Sequence, residues 1–170
     1  FVVSDLAGNY GRELKMSIEL LIVEFAHILT GKGIDFSGDE EKLKEEAVQF
    51  LLERGFSLTN TVVMLTAVTA NLVAIRSFHH ERFSITIAVT AGVGNAVDVT
   101  RTYERQDTPY IGTINTWVIV NGKLSDEAFY QAMITATEAK TKALAEEEIR
   151  DVQTNTIATG TATDSLLIAA

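Results

Sequence analysis

Apolar residues recur along the start of the chain at intervals of three and four. Leu14, Ile18, Leu21, Ile22, Phe25 and Leu29 keep that spacing, which predicts a helix over roughly 10–30 closed by Gly31. Ser37 and Glu40 form a capping-box pattern, and Leu43, Ala47, Phe50 and Leu51 then share one face up to Gly55. A second helix is expected over roughly 39–54. From Thr61 to Thr90 the pattern changes to β-branched runs, TVVMLTAVT, LVAIRSF and FSITIAVT, parted by AN and HHER. These predict an antiparallel meander, with a hairpin turn rather than a metal site at His79-His80-Glu81. AGVGNA then breaks the pattern, and GTINTWVIVNG carries a buried-strand core, TWVIV, closed by Asn121-Gly122. A long helix is expected from about Ser125 to Glu148, followed by the loop ATGTATD and a last strand, SLLIAA. This order of elements predicts an α+β fold, a mostly antiparallel sheet covered by about three helices.

One position in the long helix conflicts with its surroundings. At about 100° per residue, Phe129, Met133, Ala136, Ala143 and Leu144 share a face, and Lys140 falls near its middle. A lysine can run its ammonium out to water over an apolar surface, most easily near a helix end. Lys140 lies about two turns inside, where burying an unpaired charge is costly, so its ammonium is expected to face a pocket and meet a carboxylate or polar loop groups.

The 170 residues are 46% hydrophobic, which fits a single domain over 1–170. The chain opens on Phe1 and stops inside an apolar run, Leu166 to Ala170, as expected of a domain cut at both ends. The apolar runs break well before the ~20 residues of a membrane span, and no leader pattern precedes them. With no cysteine, thiolate ligands, disulfides and a cysteine nucleophile are excluded, and the expected compartment is cytoplasmic. A net charge of −9 with 14 scattered Lys and Arg argues against a nucleic-acid partner and leaves a neutral or cationic small molecule. Neither a membrane partner nor a protein-held metal is expected, and a homo-oligomer is compatible with the sequence.

Four short stretches have a composition that core packing does not explain: TAGVGNA (90–96), GTIN (112–115), TEAK (137–140) and TGTATD (159–164). Each joins glycine or a helix face to short hydroxyl, amide or charged side chains beside a loop or strand end, where a scaffold commonly displays ligand-binding groups. AGVGNA lacks the complete dinucleotide-loop pattern and its later acid, and no nucleophile elbow is present. The four stretches are expected to converge on one pocket.

Taken in order, VTAGVGNA, GTINTWVIVNGKLSDEAF, TATEAKTKAL and ATGTATDSLLIA resemble the adenosylcobinamide amidohydrolase (CbiZ) family. The resemblance runs from about Thr61 to Ala170, and Ala162 stands where the family pattern has another glycine. It implies hydrolysis of the amide that joins the aminopropanol arm to the corrin ring of adenosylcobinamide, giving adenosylcobyric acid in corrinoid (cobalamin) salvage. The cobalt would then belong to the substrate, with no cofactor of the protein's own. A non-catalytic corrinoid or small-molecule binding domain would use the same loops.

Roles within the resemblance follow from chemistry. Amide hydrolysis needs an activated nucleophile, a stabilised oxyanion and a protonated leaving amine. Lys140 could donate to the oxyanion or act as a base, and Asp164, ahead of Glu138, could activate water. Gly94, Asn95, Thr113, Asn115, Thr137, Thr159, Gly160, Thr161 and Thr163 are the candidates for holding the substrate, with Thr161 or Thr163 an alternative nucleophile.

Overall fold

The computed structural model describes residues 2–4, 40–58, 61–64, 66, 68, 72–106 and 112–170. The expected helix over 10–30, the Ser37 cap and Pro109 lie outside the described residues. The chain divides into two compact units, Phe1–Leu65 and Thr66–Ala170. No helix among the described residues is long and apolar enough to cross a membrane.

In the first unit, strand β1 (Val2–Ser4) pairs antiparallel with β2 (Thr61–Val63), and helix α1 spans Glu40–Glu53. Phe50 and Leu51 are buried, with Phe56 and Val63 packed against them. The helix stops where Gly55 takes φ +76°, a left-handed turn that lets the Phe56 N–H return to the Leu51 carbonyl at 3.0 Å. The first three residues of TVVMLTAVT form strand β2, which pairs with β1 instead of joining the meander. An apolar β-branched run specifies a strand but not its partner, which register and tertiary pairing decide.

The second unit is built on a four-stranded sheet whose strands lie in the order Ala74–His80 (β3), Phe83–Gly92 (β4), Thr113–Asn121 (β6) and Ser165–Ala169 (β8). Strands β3 (Ala74–His80) and β4 (Phe83–Gly92) form a hairpin with His80 opposite Phe83, so the turn is Glu81-Arg82 and both histidines belong to the strand. A short strand β5 (Ala96–Val97) and a 3-10 helix (Val99–Glu104) follow. Strand β6 (Thr113–Asn121) then pairs antiparallel with β4. Helix α2 (Asp126–Glu146) starts on Ser125, whose hydroxyl accepts from the Ala128 N–H. It stops two residues before the expected end because Glu148 turns left-handed at φ 52°, a role for which glycine would have been the visible signal. Strand β7 (Gly160–Thr161) pairs with β5, and β8 (Ser165–Ala169) joins β6 in parallel. The fold is therefore α+β with a mostly antiparallel sheet.

Strand β6 lies between β4 and β8 and is buried along most of its length, which accounts for its near-continuous apolar run. Its alternation decides what reaches the site. Ile114 and Thr116 share a cavity with α2 residues. Thr113, Asn115 and Trp117 alternate with them and point to the opposite face, level with Gly92, Thr90 and Ala88 of β4.

Candidate active site

The N–H and hydroxyl of Thr161, the N–H of Ile114 and the ammonium of Lys140 all converge on Asp164. Asp164 follows the Ala162-Thr163 turn at the head of β8, where the parallel register sets it level with Ile114. Its Oδ1 accepts from Thr161 Oγ1 at 2.5 Å and from the Ile114 N–H at 3.2 Å. Its Oδ2 accepts from the Thr161 N–H at 3.0 Å and forms an ion pair with Lys140 Nζ. The four lone-pair directions of the carboxylate are thus occupied. Both partners keep an opening to solvent, with side chains 23% (Lys140) and 18% (Asp164) exposed.

Gly160 makes this contact possible. A β-carbon built there would lie 2.5 Å from Asp164 Oδ2, closer than side-chain carbons are found, and 3.0 Å from Lys140 Nζ, a tight contact. The helix is fixed to the same loop by Thr141, whose hydroxyl donates to the Thr159 carbonyl at 3.1 Å. The Thr159 hydroxyl accepts from the Val99 N–H at 3.0 Å, and its N–H donates to the Val97 carbonyl at 2.8 Å.

Two cavities open on the Lys140–Asp164 pair. The larger, about 730 Å³, is walled by the loop 159–164, by Thr137, Lys140 and Thr141 of α2, and by Val97, Val99, Thr102, Arg105 and Gln106. The smaller, about 240 Å³, lies between α2 and the ends of β6 and β8. Among the described residues lining them, the charged groups are Arg105, Lys140 and Asp164. The acidity of the chain as a whole is therefore not concentrated at the site.

Arg105 and Gln106 are held in the wall by a buried network that the sequence pattern did not reveal. Asp151, 1% exposed, accepts from the N–H groups of Asp98 (2.9 Å), Gln153 (2.8 Å) and Thr154 (3.2 Å), and its carboxylate contacts Arg105 Nη1 at 2.5 Å. Burial opposes its charge, but these donors outweigh burial and hold the carboxyl well below its ordinary 3.8. Asp98 is held below the same value by the hydroxyls of Thr100 and Thr156, each at 2.7 Å. Gln106 and Gln153 exchange hydrogen bonds, backbone to side chain, at 2.9 and 2.8 Å. The available signal was the pair DVT (98–100) and DVQT (151–154), each an aspartate whose side chain caps the backbone two or three residues on.

Of the residues singled out from the sequence, Thr137, Lys140, Thr159, Gly160, Thr161 and Asp164 line the larger cavity. Glu138 is exposed on α2 and lines neither cavity, because two residues along a helix turn a side chain away. Thr163 binds the strand end, its hydroxyl donating to the Gly112 carbonyl at 2.7 Å and its carbonyl accepting from Thr113 Oγ1 at 2.7 Å. Thr113 and Asn115 are buried on the other sheet face. Gly94 and Asn95 form the turn before β5, with Asn95 buried against Gly112. Among the described residues no three His, Asp or Glu side chains are grouped so as to hold a metal ion.

A stretch of 59 residues is 46% identical to an uncharacterized protein of Methanocaldococcus jannaschii, covering 34% of this chain and 23% of that protein. The chain thus matches less than a quarter of that relative's length. No solved structure gives a significant match. The family model for adenosylcobinamide amidohydrolase matches residues 24–170, which include every residue of both cavities. The chain belongs to the adenosylcobinamide amidohydrolase family.

Proposed function

We infer that the protein hydrolyses the amide linking the aminopropanol arm to the corrin ring of adenosylcobinamide, releasing adenosylcobyric acid. The observation that carries this reading is the Lys140–Asp164 ion pair facing the cavities, within a chain of the adenosylcobinamide amidohydrolase family. Arg105, Gln106 and the threonine hydroxyls of the larger cavity suit a ligand edged with carboxamides, whose oxygens accept and whose N–H groups donate.

The geometry suggests how the pair acts. With its lone-pair directions filled, Asp164 can receive a proton from water only when one donor leaves. Thr161 and Ile114 are fixed by the loop and the strand, whereas Lys140 sits on a flexible four-carbon stem. When the substrate carbonyl enters, Lys140 moves its N–H from Asp164 to the carbonyl oxygen. That one movement places a cation on the developing oxyanion and frees Oδ2 to accept the proton of the attacking water. The leaving nitrogen then takes a proton from Lys140 or from the protonated Asp164 as the carbon–nitrogen bond breaks.

Incubation of the purified chain with adenosylcobinamide, with release of free aminopropanol as the readout, tests the reading. Stoichiometric aminopropanol with adenosylcobyric acid is expected. Tight binding of the corrinoid without release would make the domain a binding module instead.

A further inference from the structure

Resting on that reading, we propose that the Lys140–Asp164 pair is the partition between two subsites, with the acyl part of the substrate in the larger cavity and the leaving amine in the smaller. Both cavities are lined by Thr137, Lys140 and Asp164, and otherwise by different residues. An amide about to be cut has its carbonyl carbon at the reacting groups and its two substituents diverging from them. A reactive pair shared by two cavities with otherwise different walls offers each substituent a space of its own.

The two sides differ in size and chemistry. The smaller cavity, about 240 Å³, sets Ile114, Met133 and Leu166 beside the hydroxyls of Thr116 and Ser165. That lining suits a short chain carrying a methyl and one hydroxyl. The larger, about 730 Å³, carries the donors Arg105 and Gln106. The balance is R–CO–NH–R′ plus water giving R–COO⁻ and R′–NH₃⁺: at the Lys140–Asp164 pair the carbon–oxygen bond forms and the carbon–nitrogen bond breaks, leaving the carboxylate in the larger cavity and the ammonium product in the smaller. Selectivity for the amine therefore resides in the groove between α2 and the strand ends.

Ala136→Leu adds three carbons to the α2 wall of the smaller cavity at a position that favours helix. The expected result is a fall of at least tenfold in kcat/KM for adenosylcobinamide, with the Kd of adenosylcobyric acid, which lacks the amine, unchanged within about twofold. With the wild-type chain, rates on a series of amides should fall once the amine grows beyond aminopropanol by a few carbons. A rate independent of amine size overturns the proposal, and so do equal losses for substrate and product in a folded Ala136→Leu; if that variant folds poorly, the amide series, which needs no mutation, decides. Absence of turnover by the wild-type chain overturns the hydrolytic reading instead. In that case the subsite falls too if wild type and Ala136→Leu bind the amide and the acid with one common ratio of affinities.

Discussion

Lys140 Nζ and Asp164 Oδ2 stand 3.0 and 2.5 Å from the point a β-carbon on Gly160 would occupy, so a side chain at residue 160 would force the ion pair to shift. Gly160→Ala should therefore part the pair or push the loop outward. Overpacking of this kind typically costs ~1–3 kcal/mol, so the variant should fold with a modest loss of stability. Aminopropanol release should fall by at least tenfold while circular dichroism stays unchanged; a variant of normal activity would show that the contact has no part in the reaction.

Lys140→Met removes the charge and keeps the length and helix propensity of the side chain. Asp164 retains three donors without it, and both partners are partly solvated. The change in stability should be within about 1 kcal/mol, well short of the loss seen when a fully buried pair is broken. Hydrolysis should nearly vanish. Undiminished turnover in the folded variant would reduce Lys140 to a solvated surface cation.

Asp164→Asn should lower turnover of adenosylcobinamide far more than its binding, because the amide oxygen can keep the two hydrogen bonds made to Oδ1 but the amide cannot take a proton from water. Steady-state rates combined with corrinoid binding titrations separate the two effects. Equal losses in both would mark Asp164 as a residue that shapes the cavity.

The buried acids set a pH dependence of stability. Asp98 and Asp151 are held below their ordinary 3.8 in the folded chain, so through the acid range the unfolded chain binds more protons. Their stabilisation is complete above that value and is lost as pH falls below it toward the folded values. Denaturant midpoints should be level in this respect from neutral to about pH 5 and drop below about 4. Asp151→Asn leaves Arg105 without its buried counter-charge and should cost roughly 2–4 kcal/mol at pH 7, while flattening the acid drop. An unchanged acid slope would assign the effect to other carboxylates.

How much of this was legible in the sequence depended on the kind of contact involved. Lys140 was visible because one helix wheel is a local object: the continuous stretch from Phe129 to Leu144 shows a charge on an apolar face. Asp164 was visible as the acid of a glycine-hinged loop. Thr113 and Asn115 carry the same hydroxyl and amide chemistry, but their parity in β6 turns them from the two cavities. Which face a strand residue takes depends on how Ile114 and Thr116 pack under α2, and a shift of one residue reverses the answer. Arg105 and Asp151 are joined only by tertiary structure, and nothing near either residue in the chain names the other. The first apolar run read as a meander strand for the same reason: its composition specified extended backbone, while its pairing with Val2–Ser4 came from far along the chain.

The parallel pairing of β8 with β6 gives the site an order of assembly. The β3–β4 hairpin and the β4–β6 pair need no later residue, but β8 reaches β6 only after the whole of α2 has crossed over the sheet. Asp164 meets the Ile114 N–H in that last alignment, and Lys140 acquires its counter-charge at the same moment. Contacts between residues so distant in sequence form slowly. The proposed chemistry thus requires the final strand to be docked, and in a refolding experiment aminopropanol release should appear together with the full burial of Trp117, which is flanked by Ala88 of β4 and Leu167 of β8.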